Sequence, residues 1–185
     1  MFAVTGGTAL AQSTASITTE LTRGRCKFID DDGEVGHYAL KRCPGQSGIR
    51  IYTEATMQRV ALFFQWAKSP LTREVTRTRS LGEKIEWRGT KGRKGFEPEA
   101  ALVTLIVADD EDNRHNVLAV IRIEGILACV MAVADETANT DATALARKAA
   151  DAPGDFSCEQ DKAKILGVET RWAKAAIGQD NEPPK

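Results

Sequence analysis

Short apolar stretches follow one another along this chain, and polar residues with glycine or proline separate them. From residue 26 onward many of these stretches have the length and the β-branched or aromatic content of strands. Residues 49–53 and 84–88 alternate apolar and polar side chains, which predicts strands with one buried face. Residues 57–67 include Val60, Leu62, Phe63, Phe64 and Trp66. We predict a buried strand there, with a short helix as the alternative.

The richest apolar region lies between residues 96 and 134. Residues 100–108, 117–123 and 126–133 are rich in apolar, β-branched side chains, and the polar turn residues 109–113 and 124–125 separate them. This spacing predicts an antiparallel meander. The alanine-rich residues 140–150 predict a helix, with Asn139 or Thr140 as its N-cap and an apolar face that packs on the sheet.

These patterns predict a single α+β domain, made mainly of one antiparallel β-sheet with one C-terminal helix packed on it. The 185 residues are enough for one substantial core. We predict that residues 1–11 are the remnant of a signal peptide and that residues 12–22 are a flexible lead-in. The domain covers residues 23–172, with an irregular polar segment at 68–83, and residues 173–185 form a loose tail.

The N-terminal residues indicate export. Residues 1–11 are small and apolar, and Ala9 and Ala11 stand at positions −3 and −1 before a cut at Gln12, as a signal peptidase requires. The first basic residue is Arg23, whereas a complete signal begins with basic residues. We therefore expect the sequence to start inside a longer signal, with a flexible Ala/Thr/Ser tail as the alternative. The predicted location is periplasmic or secreted.

The four cysteines, Cys26, Cys43, Cys129 and Cys158, predict two disulfides. Three pairings are possible, and sequence alone cannot choose rigorously among them. A turn at residues 31–33 would place Cys26 beside Cys43 at the end of a hairpin, and Cys158 follows the predicted helix, from which the chain can return to Cys129. We favour these two pairs. The cysteines are 17, 86 and 29 positions apart, so we expect no metal site.

The composition argues against nucleic-acid binding and against a membrane span. Lysine and arginine number 25 against 26 acidic residues, so we expect no nucleic-acid binding. No apolar run approaches the roughly 18 residues that span a bilayer, so we expect no membrane span. Locally, the loop at 88–95 concentrates cations among glycines, and we consider it a possible anion-binding site formed by Arg88, Lys91, Arg93 and Lys94. It lacks the phosphate-loop motif, and a solvated hairpin loop is the favoured alternative.

Other candidate residues favour structural roles. The acidic runs at 30–32 and 109–112 lack calcium-loop spacing and predict charged turns. His37 and His115 belong to no catalytic motif, so we assign no catalytic residue and expect no cofactor. A binding face could be formed by the aromatic residues Tyr52, Phe63, Phe64, Trp66 and Trp87, but core packing is the favoured interpretation. If Phe63 and Phe64 share a strand, however, they point to opposite faces, and an exposed one would indicate a partner surface.

A resemblance to known proteins rests on Cys26, residues 42–45, 49–52 and 84–88, Cys129, the predicted helix at 139–150 and Cys158. With these, the chain resembles a group of small uncharacterised secreted (periplasmic) proteins of Gram-negative bacteria with two disulfides, over residues 20–160. The resemblance implies a structural framework and no activity. The chain is also loosely similar to periplasmic lysozyme inhibitors, without their inhibitory loop motif.

We therefore expect a non-enzymatic binding or envelope-accessory protein whose partner is an envelope protein or glycan. The alternatives are a hydrolase that acts on cell-envelope material and an inhibitor of a lysozyme-like enzyme. A third possibility is a subunit whose exposed sheet edge pairs with another copy. A histidine beside a carboxylate in a cleft would favour the hydrolase, and an exposed aromatic patch would favour binding.

Overall fold

The computed structural model describes residues 14–31, 38–69 and 72–179. The predicted signal remnant, most of the predicted turn at 31–33 and His37 lie outside the described residues. The strands in chain order are β1 (Thr14–Glu20), β2 (Lys27–Asp31), β3 (Tyr38–Gln46), β4 (Ile49–Thr56), β5 (Val60–Trp66), β6 (Thr72–Thr78), β7 (Ser80–Gly92), β8 (Gly95–Ala108), β9 (Arg114–Glu124), β10 (Leu127–Asp135) and β11 (Lys164–Ile165). The helices are α1 (Ala142–Asp151) and α2 (Arg171–Ala176).

The strands form two sheets. A six-stranded sheet has the order β1-β7-β8-β9-β10-β11, and a five-stranded sheet has the order β2-β3-β4-β5-β6. Every pairing is antiparallel except the short parallel contact between β10 and β11. The prediction of a sheet-rich, mainly antiparallel fold with a meander at β8–β10 is confirmed. Within the described residues, the single sheet and the single helix are corrected to two sheets and two helices.

The two sheets pack face to face around the larger core. Phe64 of the five-stranded sheet lies against Trp87 of the six-stranded sheet, with ring centroids 5.3 Å apart. Both side chains are fully buried. The central strands β8 and β9 are buried on both faces, because their second face is covered by α1. This double burial explains why these strands are almost continuously apolar in sequence.

Helix α1 packs on the outer face of the six-stranded sheet through Ala142, Ala146 and Ala150, which are buried. The predicted N-caps are corrected, because the N-cap position is Asp141, whose side chain makes no capping hydrogen bond. Asn139 is buried and has a different structural role, since its carboxamide oxygen accepts the backbone N–H of Val168 at 2.9 Å.

Two segments predicted to be loose are ordered. Residues 14–20 of the predicted lead-in form β1, which pairs with β7 at the edge of the six-stranded sheet. At the other end, the loose tail predicted from residue 173 is corrected, because α2 runs from Arg171 to Ala176 and buries Trp172 and Ala173 in the core. The segment 68–83, predicted to be irregular, contains β6 and the start of β7. Each correction adds regular structure that short polar sequences do not reveal.

Both predicted disulfides are formed. Cys26 is bonded to Cys43 with a Cα–Cα distance of 4.1 Å, and Cys129 to Cys158 with 5.6 Å. The first links the residue before β2 to β3 within the core, and the second ties the segment after α1 to β10. The bridges therefore fasten one sheet each.

Candidate binding face on the five-stranded sheet

The five-stranded sheet has one buried face and one outer face. Ile51 and Phe64 are opposite each other in β4 and β5 and point into the core. Their neighbours Tyr52 and Phe63 are also opposite each other, so alternation places both on the other side. In the described part of the chain, no helix or strand packs over that side. We call it the outer face, and its central residues are Arg42, Tyr52, Glu54, Phe63, Gln65, Glu74 and Arg77.

An aromatic pair occupies the centre of the outer face. Tyr52 and Phe63 are half-buried neighbours on adjacent strands. The Tyr52 hydroxyl donates a hydrogen bond to Gln65 Oε1 at 3.2 Å, which fixes the orientation of both side chains. The expectation that Phe63 and Phe64 point to opposite faces is confirmed, since Phe64 is fully buried and Phe63 is not.

Charged side chains of both signs surround the aromatic pair. Glu74 is opposite Phe63, and Arg77 donates to it through Nε at 3.3 Å and Nη2 at 2.7 Å. The hydrogen bond to Glu74 raises the pKa of Arg77 more than burial lowers it, and the charges of Glu74 and Glu54 add to this rise. On the other side of the pair, Arg42 is opposite Tyr52. Guanidinium groups therefore lie on both sides of the central aromatic surface, and on one side a carboxylate accompanies them.

Tyr38 extends this surface towards the start of β3. Burial raises the pKa of its phenol, and the negative charges of Glu54 and Asp30 raise it further. Tyr38 and Leu40 lie on the same side of β3, and Leu40 is opposite both Glu54 and Asp30. Alternation along the strands therefore places the side chains of Tyr38, Glu54 and Asp30 on the outer face. At this end the surface is therefore acidic.

The arrangement suits a flat ligand with many hydroxyl groups. Aromatic rings present apolar faces to C–H groups of a ring such as a sugar, while carboxylate, amide and guanidinium groups accept or donate hydrogen bonds at its edge. The opposite charges nearly balance, so the face has no strong attraction for a polyanion. Sequence reasoning identified Tyr52 and Phe63 as candidates but not Gln65, Glu74 or Arg77, which only the pairing of β5 with its neighbours brings together.

The four cations of the predicted anion-binding loop have different environments. Arg88 is in β7 with 14% of its side chain exposed, and it donates to Asp151 Oδ1 at 2.8 Å and Glu86 Oε1 at 3.1 Å. Its charge is thus already compensated inside the protein. Lys91, Arg93 and Lys94 are exposed at the tip of the β7–β8 hairpin. Anion binding at that tip stays a prediction and would depend on these three residues.

The described histidine has a structural environment. The ring of His115 stacks on Trp172 with centroids 3.8 Å apart, and the guanidinium of Arg171 lies 4.3 Å from the centroid of the same indole. Among the described residues, His115 has no hydrogen bond or ion pair with a carboxylate. Because His37 lies outside the described residues, the hydrolase alternative stays a prediction.

The acidic run at 109–112 forms a turn between β8 and β9. Asp109 Oδ1 accepts the backbone N–H groups of Glu111 and Asn113 at 3.1 and 2.9 Å, and Asp112 pairs with Arg79 and Arg114. No group of three potential metal ligands occurs in the described ranges. These hydrogen bonds and ion pairs stabilise the turn of the β8–β9 hairpin.

Comparison with known proteins identifies no family for this chain. The chain matches no protein-family model, and no curated protein and no solved structure is significantly similar to it. Within residues 14–31, 38–69 and 72–179, neither helix is long and apolar enough to cross a membrane.

Proposed function

We propose that this chain is an exported, non-enzymatic binding protein whose outer face binds a glycan of the cell envelope. The observation that carries the proposal is the placement of Tyr52 beside Phe63 on a sheet face that no described helix or strand covers. Gln65 and the Glu74–Arg77 pair supply hydrogen-bonding groups at the edge of the aromatic surface.

The disulfides support the extracytoplasmic part of the proposal. Disulfides persist in oxidising compartments such as the periplasm and are rare in the reducing cytosol. This chain pairs all of its cysteines, Cys26 with Cys43 and Cys129 with Cys158. A protein stabilised in this way is suited to the cell envelope or the exterior.

A glycan fits the outer face better than an apolar protein surface. The aromatic rings are half-buried rather than fully exposed, and long polar side chains stand around them. A site that binds another protein usually has an apolar centre from which water is excluded. A sugar needs only one or two aromatic faces together with donors and acceptors for its hydroxyl groups.

The proposal is tested by co-sedimentation of the disulfide-intact protein with purified cell-wall glycan, followed by titration with soluble fragments. Tyr52→Ala and Phe63→Ala should each weaken binding about fivefold, the scale of a lost ring contact of roughly 1 kcal/mol. Phe28→Ala is the matched control, because Phe28 is 48% exposed on β2 and is not part of the aromatic pair.

Two results would contradict the proposal. One is the absence of retention on any envelope glycan. The other is equal binding by the wild-type protein and both outer-face variants. Selective loss in Tyr52→Ala and Phe63→Ala, with Phe28→Ala unchanged, is the supporting result.

A further inference from the structure

A cavity lies on the side of the molecule opposite the outer face, between α1 and the outer surface of the six-stranded sheet. It has a volume of about 320 Å³, near the lower limit for small-molecule sites of roughly 300–1,000 Å³. Its lining residues come from β1, β7, β8, β9, α1 and the segment after β10: Thr18, Lys84, Glu86, Leu102, Val103, Thr104, Leu118, Glu136, Thr143 and Arg147. We call it the helix groove.

Two of the four charged residues in the helix groove compensate each other. Arg147 donates to Glu86 through Nε at 3.0 Å and Nη2 at 2.9 Å, and Glu86 also accepts from Arg88 and Ser16. Burial raises the pKa of the Glu86 carboxyl, but the hydrogen bonds and charge of Arg147 outweigh that effect. With the further hydrogen bonds from Ser16 and Arg88, the pKa of Glu86 is held below its ordinary value. Glu86 is therefore an ionised structural anchor for α1.

The other two charged residues lack an ion partner in the described part of the chain. Lys84 is exposed and makes no ion pair with a described residue; Glu20, opposite it on β1, pairs with Arg25 at 3.4 Å. Glu136 is half-buried and likewise has no cation within ion-pair distance among the described residues. Burial raises the pKa of Glu136, a hydrogen bond with Asn116 opposes this, and the charge of Asp135 adds to the rise. As far as the described ranges show, the groove thus contains a cation and a carboxyl group that both lack a counter-charge.

The positions of Lys84 and Glu136 determine how long a ligand must be to contact both side chains. Lys84 is in β7 and Glu136 directly follows β10, with β8 and β9 between them. Three strand spacings of about 4.8 Å separate β7 from β10 by roughly 14 Å. In register, Lys84 is level with Ala134 of β10, so Glu136 lies two residues further along that strand. The two backbones are therefore roughly 16 Å apart. The two side chains can span part of this distance, and a peptide of two or three residues, about 7–10 Å long when extended, fits the remainder.

We propose that the helix groove binds short peptides with free ends, the ligand's carboxylate on Lys84 and its ammonium group on Glu136. Thr18, Thr104 and Thr143 also line the groove, and threonine hydroxyl groups can donate and accept hydrogen bonds with the peptide amide. Leu102 and Leu118 provide apolar surface for small side chains. A simple anion is a poorer ligand, because Glu86 and Glu136 repel it. The groove is independent of the glycan-binding outer face.

Three related probes distinguish the contributions of the two charges. Alanyl-alanine has both, N-acetyl-alanyl-alanine has only the carboxylate, and alanyl-alanine amide has only the ammonium group. In titrations followed by the backbone amide signals of Thr104 and Leu118, alanyl-alanine should bind at least about tenfold more tightly than either analogue, as expected for a charge-assisted hydrogen bond.

Two variants assign the orientation. Lys84→Met should bring the affinity for alanyl-alanine down to that of the amide, and Glu136→Gln should bring it down to that of the N-acetyl analogue. Lys68→Met, which removes an exposed cation after β5 and outside the helix groove, should leave all three affinities unchanged. The proposal is overturned if no probe shifts the groove signals, or if the wild-type protein binds all three probes equally. The wild-type comparison gives a decisive result even where a variant fails to fold.

Discussion

Thr19 accepts the indole N–H of Trp87 at 2.9 Å, and both side chains are buried. This hydrogen bond joins β1 to β7 inside the core. Thr19→Val keeps the shape of the side chain but removes the acceptor, which leaves the Trp87 donor buried without a partner. We expect a loss of roughly 1–3 kcal/mol in the free energy of unfolding, measured by urea denaturation.

Thr18→Val is the matched control for this experiment. Thr18 is the preceding residue in β1 and its side chain is exposed, so the change should stay within about 0.5 kcal/mol. Equal stability of both variants would show that the Thr19–Trp87 hydrogen bond contributes nothing.

Glu86 should make stability depend on acid pH. Its folded-state pKa lies below the ordinary value of 4.5, so its ionised form favours the folded state above that pH. This contribution is lost as the pH falls through the folded-state pKa. Glu86→Gln should therefore cost about 1–2 kcal/mol near neutral pH, and its difference from the wild type should shrink in acid.

Urea denaturation as a function of pH measures this difference. Glu83→Gln is the control, since Glu83 is exposed on the same strand and has no ion pair with a described residue. A constant Glu86→Gln deficit across the acid range would contradict the assigned role of the ionised carboxylate.

Phe63 and Phe64 should respond differently to the same substitution. Phe64 is fully buried, so Phe64→Ala should cost about 3–5 kcal/mol through lost burial and a cavity. Phe63 is half-buried on the outer face, so Phe63→Ala should cost clearly less. Thermal unfolding of the two variants compares these costs, and a larger loss for Phe63→Ala would invalidate the face assignment.

Each disulfide should contribute roughly 3 kcal/mol, because the bridges close loops of 17 and 29 residues in sequence separation. The double variants Cys26→Ala/Cys43→Ala and Cys129→Ala/Cys158→Ala can be compared with the wild type by urea denaturation. A non-reducing peptide map provides the control for pairing. Unchanged stability in both double variants, or a crossed pairing, would refute this prediction.

The elements that sequence predicted best have local partners. Strands β8, β9 and β10 follow one another, pair in order and contain long apolar runs, so their meander was visible in the sequence. The helix over residues 140–150 was likewise predicted from its alanine face and is observed as α1. In these cases the residues that specify the element, its turns and its pairing partner all lie within a few tens of residues in sequence.

The elements that sequence missed depend on distant contacts. Strand β1 has a polar outer side, and its Ser16 bonds to Glu86 across 70 positions. Helix α2 has six residues, too few for a periodic pattern, and is held by the buried Trp172. Alternation also shows which side of a strand is buried without showing what covers it, so the second sheet was not predicted.

The residues of the candidate sites could likewise be predicted only where their signal is local in sequence. Tyr52 and Phe63 could be recognised because aromatic residues in alternating strands are informative on their own. Lys84 and Glu136 could not, because they come from separate strands and form no motif with their sequence neighbours. Their relation arises only from the order of β7, β8, β9 and β10 in the sheet.

The position of β1 also constrains the order of folding. Strands β2 to β6 are hydrogen-bonded in the order in which they occur in the chain, whereas β1 must wait for β7. A chain that emerges from its N-terminus can complete the five-stranded sheet by successive hairpins before the partner of its first strand exists. We expect closure of the long β1–β7 loop to come late, because its entropic cost precedes the contacts that offset it. Until that step the indole N–H of Trp87 lacks its acceptor Thr19, although the ring can already pack against Phe64.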